Sequence, residues 1–296
     1  MGKGKGIILV LAAALLAVSC MKDDFAPLSG YEGPVVSPGR AGVMKDLVFR
    51  FVADVPTKGV DAISVPTSLY WGGVHHKADN SMEIAWSCTL SSVETDPDDP
   101  SGRVIFTGQQ KDDTDYTVYD FYVSNFPFDL SPASSNILNV TQNNYDVLVG
   151  YRSASGNDFE NGVNMQLEHI FAKTGTLSFP DTDVYEFTNL TWRIIGKGAL
   201  TGTRGSYNMA TGEWISATTP LSSYYTITSS SNYYVIPGVY TIKVNGRIRS
   251  KVSGKTEDFE VVSDVNLLKG KRNNITGQLS GNFINDWENK GDIILD

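Results

Sequence analysis

The strongest constraint on the fold of this chain is a period of two. From Tyr240 to Val252 the residues Tyr240, Ile242, Val244, Ile248 and Val252 all hold even positions. Thr241, Lys243, Asn245, Arg247, Arg249 and Lys251 hold the odd ones. Side chains of a strand alternate between its two faces, so this pattern predicts one long, half-exposed strand. Asn245-Gly246 in isolation would suggest a two-residue hairpin turn, but the unbroken alternation places the turn at Ser253-Gly254-Lys255, with Gly246 at a bulge.

Similar short runs recur along the chain between clusters of Gly, Asn, Asp, Ser and Pro, which is the pattern of β-sandwiches. A first set is expected at 47–52, 104–107, 116–123, 146–151, 163–167 and 174–179. A second set is expected at 187–195, 224–228, 233–236, 239–252, 259–262 and 274–279. In the first run Leu47, Phe49 and Phe51 alternate with Val48, Arg50 and Val52. Helix signals are nearly absent after residue 20. A polar break marked by a proline, Phe179-Pro180-Asp181-Thr182-Asp183, separates the two sets. It suggests two tandem β-sandwich domains, residues 45–180 and 181–296, the latter including a terminal tail.

The first residues follow a different logic. Lys3 and Lys5 precede an apolar run from Ile7 to Val18, too short to span a hydrocarbon core of roughly 30 Å. It reads as an export signal, residues 1–19, and does not count toward the fold. Small residues lead into a single cysteine, Ala17-Val18-Ser19-Cys20. This resembles a bacterial lipoprotein signal, with Cys20 as the lipid attachment site. Residues 20–44 then form a tether or pro-segment. Lys22, Asp23 and Asp24 resemble the Lys-acidic-acidic signal that directs lipoproteins to the outer face of the outer membrane.

The formal net charge is −9. An acidic body lacks the basic footprint that nucleic acid requires. Apart from Cys20 the cysteine is Cys88, so no internal disulfide is available and the fold depends on its core. Cys88 reads as a small buried hydrophobe.

Catalytic patterns are missing. There is no Gly-x-Ser-x-Gly, no phosphate-binding glycine loop and no His-Glu-x-x-His. Gly196-Lys197-Gly198 with Gly202 has the wrong spacing for a dinucleotide loop. His75-His76 lacks acidic ligands at metal spacing, and His169 reads as structural. Asp96, Asp98 and Asp99 read as a solvated loop, since Pro100 and Ser101 interrupt a calcium-loop pattern. Asn139, Asn189 and Asn274 read as strand and turn residues. No enzyme activity, metal or cofactor is expected.

Several dispersed segments together resemble the fimbrillin family of Bacteroidia surface pili. Tyr119-Asp120-Phe121-Tyr122-Val123-Ser124-Asn125-Phe126-Pro127 is similar to that family's aromatic strand ending at a proline. Asp146-Val147-Leu148-Val149-Gly150, then Val163 to Leu167, then His169 to Lys173, follow its order. Val235-Ile236-Pro237-Gly238-Val239-Tyr240, the turn from Leu267 to Thr276, and Trp287 complete the match, over residues 45 to 290. The resemblance implies two β-sandwich domains, the second transthyretin-like, and a surface subunit in the cell outer membrane that acts structurally or in adhesion. It implies partners too: other fimbrial subunits joined by donor-strand exchange, a lipid anchor, and a host or bacterial surface ligand. Relatives are trimmed by an arginine-directed protease after the first strand. Here that place holds Thr57-Lys58-Gly59, so Arg40 and Lys58 are both candidate trimming sites. Asp146, His169 and Lys173 are structural on this reading. The alternative is a surface glycan-binding lipoprotein outside any filament, using Tyr224-Tyr225 and Tyr233-Tyr234.

Overall fold

The computed structural model describes residues 44–51, 63–112, 118–132, 136–142, 144–155, 162–217, 225–227, 233–279 and 293–295. Cys20, Lys22, Asp23, Asp24, Arg40 and Lys58 lie outside the described residues. Among the described residues there are twenty strands, numbered here along the chain, and no helix. The all-β expectation is therefore met.

The first sheet contains β1 (Met44–Phe51), β4 (Glu94–Thr95), β5 (Arg103–Asp112) and β9 (Val163–Met165), in the order β4-β5-β1-β9. The second contains β2 (Ser68–His76), β3 (Met82–Ser92), β6 (Val118–Ser124), β8 (Leu148–Ser155) and β10 (Glu168–His169), in the order β10-β8-β6-β2-β3. The third contains β11 (Ala172–Ser178), β16 (Tyr234–Val235), β19 (Arg272–Leu279) and β20 (Ile293–Leu295), in the order β16-β11-β19-β20. The fourth contains β12 (Tyr185–Gly196), β15 (Tyr225–Ile227), β17 (Gly238–Ser250) and β18 (Thr256–Leu267), in the order β15-β12-β17-β18. A fifth, β14-β13-β7, joins β14 (Glu213–Ala217) and β13 (Gly205–Asn208) to β7 (Ile137–Val140).

The long strand read from the sequence is β17. Tyr240, Ile242, Val244 and Ile248 are buried. The odd positions face solvent and carry cross-strand ion pairs, Lys243 with Glu260 at 2.7 Å and Arg247 with Asp258 at 2.9 Å. The chain turns at Lys251–Ser253, and Gly254 has φ +71°. Val252 lies in that turn and is exposed, not the last inward residue of the strand. The bulge is also not at Gly246. It lies opposite, in β12, where Asn189 and Leu190 together face Gly246 across a register shift between Thr188 and Thr191. Asn189 takes φ 55°, which asparagine tolerates better than most residues. A Cβ on Gly246 would lie 2.7 Å from Leu190 Cδ2, so the glycine makes room for the bulged leucine.

Apolar side chains gather in three buried clusters. One joins Leu47, Phe49, Trp71, Phe121 and Val163, between the first two sheets. Another joins Trp192, Ile194, Tyr240, Ile242, Val244 and Ile275, between the third and fourth. The third brings Tyr122, Leu138, Phe171, Tyr207 and Ile236 together. It draws on strands from both sides of Pro180, as the fifth sheet does. Burying large aromatic and branched side chains in this way is the main favourable term in the fold.

Candidate functional site: the first and last strands

Strand β1 begins the described chain, yet it lies inside a sheet. It runs antiparallel to β5 and parallel to β9. Leu47, Phe49 and Phe51 are 1%, 0% and 2% exposed. The alternation visible in the sequence is thus realised as three adjacent inward anchors. Phe49 meets Trp71 at 5.4 Å and Phe121 edge-on at 5.1 Å. On the other face, Arg50 reaches the loop after β4. Its guanidinium pairs with Asp96 and, at 2.9 Å, with Asp98. The Arg50 hydrogen bond is the main cause holding the Asp96 carboxyl below the usual range, helped by the Asp98 backbone N–H. The acidic loop therefore ties β1 to its neighbours. Asp99 accepts from the Ser101 hydroxyl at 2.6 Å and its N–H at 2.9 Å, a local turn.

At the other end of the chain, β20 pairs antiparallel with β19 in the register Gly277 with Leu295 and Leu279 with Ile293. The tail thus completes the edge of this chain's own third sheet.

The histidines have separate partners. His76 Nε2 lies 2.7 Å from Asp120 Oδ2, and the Tyr151 hydroxyl donates to the other Asp120 oxygen at 3.1 Å. His75 stacks on Tyr119 at 4.7 Å and meets Glu83 at 3.4 Å. His169 Nδ1 lies 2.7 Å from Asp146 Oδ1. Among the described residues, no group of three His, Cys, Asp or Glu side chains is placed to hold a metal. Cys88 is half-buried, and burial pushes its thiol pKa up.

The Asp120 hydrogen bond raises the His76 pKa more than burial lowers it. A raised folded value contributes stability that is fully present below the unfolded value of about 6.5 and is lost as pH rises through the folded value. His76→Gln keeps a hydrogen-bonding side chain but removes this titration. The variant is expected to melt about 1–3 °C below the parent at low pH, the worth of a partly exposed pair. The gap should close above the folded pKa, measured by thermal melts across pH. A gap that widened with pH would contradict the assignment.

The turns that resemble the fimbrillin pattern hold their strands by specific bonds. The buried Tyr240 hydroxyl donates to the Ile236 carbonyl at 2.7 Å and accepts from the Gly202 N–H at 3.1 Å. Asn273 accepts from the Leu268 N–H at 3.0 Å and donates to the Lys271 and Lys173 carbonyls at 2.8 and 3.1 Å. Gly270 in that turn has φ +65°, where a side chain would be strained. Asn274 accepts from the Thr176 N–H at 2.9 Å, Asn139 is a strand residue of β7, and Asn189 sits at the bulge of β12. Sequence reading located the β1 anchors but missed Arg50, whose two partners lie far along the chain.

No protein-family model matches the chain, and no curated protein matches it. Among solved structures it is similar to a fimbrial protein from Bacteroides vulgatus, with a TM-score of 0.55 and 11% sequence identity over 85% of this chain and 98% of that one. It is also similar to a fimbrial assembly protein from Parabacteroides distasonis, at 11% identity over 86% of this chain and 100% of that one, with a TM-score of 0.35. At such identities the first match speaks for the fold, and the second carries no argument. The chain shares the fold of the Bacteroides vulgatus fimbrial protein over 85% of its length, and the fimbrillin-family resemblance of its sequence is borne out at the level of that fold.

Proposed function

We propose that this chain is a structural or adhesive subunit of a cell-surface filament. The observation that carries the reading is β1: the first described strand, with more than forty residues of sequence before it, yet buried between β5 and β9. Removing such a strand would open a groove lined by apolar side chains and by unpaired main-chain groups on both sides. A strand from a neighbouring subunit can fill it, with main-chain hydrogen bonds giving affinity and alternate side chains giving register. The donor in this proposal is the tail, whose Ile293 and Leu295 repeat the two-residue spacing of the β1 anchors.

The remaining expectations from the sequence belong to the same proposal. Cys20 carries lipid, and Lys22, Asp23 and Asp24 direct the protein to the outer face of the outer membrane. Cleavage near Lys58 frees the first strand, whereas cleavage near Arg40 removes the segment that precedes it. Two domains, divided near Pro180 with the second transthyretin-like, form the body. The fold shared with a fimbrial protein supports this reading, as does the absence of a catalytic pattern in the sequence.

Immunogold negative-stain microscopy of a producing Bacteroidia host tests the proposal. Label is expected along filaments, and Cys20→Ala is expected to remove most of it from the cell surface. Label spread evenly over the membrane, with no filaments, would favour a surface binding protein outside any filament.

A further inference from the structure

The face of β1 that points away from the core carries an anchor of its own. Arg50 stands between the inward residues Phe49 and Phe51 and projects to the opposite face. Its guanidinium is held by Asp96 and, at 2.9 Å, by Asp98, in the loop between β4 and β5. Among the described residues Asp96 is the only charged one that is buried, at 4% exposed. The main chain folds tightly around it, since a Cβ on Gly102 would lie 3.3 Å from the Asp96 Cβ. Gly162, at φ +83°, borders the arginine, and a Cβ there would lie 3.2 Å from the Arg50 Nε. Arg50 therefore fills a fitted slot with an acidic end.

The slot belongs to the groove that strand exchange would empty. When β1 leaves, Arg50 leaves with it, while Asp96 and Asp98 stay with β4 and β5. Asp96 keeps the Asp98 N–H at 3.0 Å, which is a dipole and not a counter-charge. Arg103, next to Gly102 in the chain, is no substitute. It is opposite Phe51 and so projects to the inner face, and it donates to the Gly102 carbonyl at 2.8 Å. Glu94 adds a further negative charge: it is opposite Val104, and Val104 is opposite Arg50, so all three share the outer face. A strand that refilled the groove without a cation at this place would cover a carboxylate deprived of its partner. A strand with an acid there would set like charges together. Both are costly, and such penalties are how an interface rejects wrong partners.

We propose that the groove left by β1 selects its donor strand by charge: the donor carries a Lys or Arg at the place of Arg50, on the outward side of a strand whose inward side is apolar. Apolar anchors alone discriminate poorly, because every alternating strand offers them. The cation also fixes register. A slip of one residue turns it into the core, and a slip of two moves it roughly 6–7 Å along the strand from Asp96. In the tail, Lys290 lies an odd number of places from Ile293 and Leu295, so in an extended strand it falls on the side opposite to them. The proposal rests on the strand-exchange reading and names the chemistry of the strand that the groove takes.

The test uses the purified full chain with a specific protease site placed at Thr57-Lys58-Gly59, cleaved in the presence of excess fluorescent peptide. The peptides have the sequence Met44–Phe51 in three forms: native, Arg50→Gln and Arg50→Glu. Retention on the chain after gel filtration, across peptide concentrations, gives an apparent Kd for each. The Arg50→Gln peptide is expected to bind about tenfold more weakly than the native one, and the Arg50→Glu peptide about a hundredfold. A chain carrying Asp96→Asn and Asp98→Asn keeps an acceptor oxygen for the turn but loses the charge. On it the native and Arg50→Gln peptides are expected to bind within about threefold of each other. A failure of that chain to fold leaves the three peptides on the parent to decide. Equal retention of all three by the parent would overturn selection by charge and leave strand exchange standing. An undiminished preference for the native peptide on the double variant would overturn the role given to Asp96 and Asp98. Retention of none would overturn strand exchange, and the proposal with it.

Discussion

Phe49→Ala is expected to lower the unfolding free energy by about 3–5 kcal/mol, the range for emptying a fully buried aromatic site. The ring is 0% exposed and is held by Trp71 and Phe121. The main chain around it cannot readily collapse into the gap, because Phe49 is paired on both sides, with Ile105 of β5 and Val163 of β9. Native domains have only about 5–15 kcal/mol in total, so the variant should sit near the edge of folding. Urea unfolding followed by tryptophan fluorescence measures the loss. A shift below about 1 kcal/mol would mean that the site repacks, contrary to two-sided pairing. The same side chain matters for assembly, since a donor strand must fill the space that Phe49 occupies.

A comparably large effect is expected at Gly277, where the third sheet meets its core. A Cβ there would fall inside the van der Waals envelope of the Phe179 ring. That ring cannot swing aside, since it is buried and packs against Phe187 at 4.6 Å and Phe259 at 5.4 Å. Gly277→Ala should therefore cost about 1–3 kcal/mol or more through overpacking. Gly277 also faces Leu295 of β20, so a shifted β19 should loosen the tail. Urea unfolding measures the first effect, and amide hydrogen exchange at residues 293–295 measures the second. Unchanged stability with unchanged exchange would show that Phe179 has freedom the packing denies it.

Much of the fold was legible because half-buried strands carry their period openly. Strands β1, β12 and β17 alternate inward apolar and outward polar residues, and each was expected at nearly its observed place. Strand β2 was not expected. Its Gly72-Gly73 pair looks like punctuation between strands, and its residues from Trp71 to Val74 are buried whichever face they take, so no alternation survives. The glycines are there for contact: a Cβ on Gly73 would lie 3.0 Å from the Trp86 ring and 3.1 Å from Phe121. Strands β7, β10, β13 and β14 were missed because two to five residues hold too little period to read.

The candidate site divides in the same way. Leu47, Phe49 and Phe51 were visible as local spacing. The Arg50 pairing with Asp96 and Asp98 was not, since long-range partners leave no local signature. The acidic loop was expected to be solvated, whereas Asp96 is buried against Arg50. The register that sets Lys173 between Tyr234 and Arg272 comes from three strands distant in the chain and depends on parallel pairing of β11 with β19, which no local pattern reveals. The Tyr233-Tyr234 pair places its two rings on opposite faces, as a strand requires. Tyr233 packs against the cluster of Trp192 and Tyr240, and Tyr234 against the cluster of Phe171 and Ile236.

Strand exchange itself is most directly tested by cutting the chain after β1. A specific protease site placed at Thr57-Lys58-Gly59 allows the first strand to be released from purified protein, and electrophoresis in sodium dodecyl sulfate without boiling reads the outcome. Cleavage of the full chain is predicted to give a ladder of resistant oligomers. The same cleavage of a chain lacking residues 289–296 is predicted to give folded monomer alone. Ladders that form equally without cleavage, or equally without the tail, would contradict assembly through these two strands.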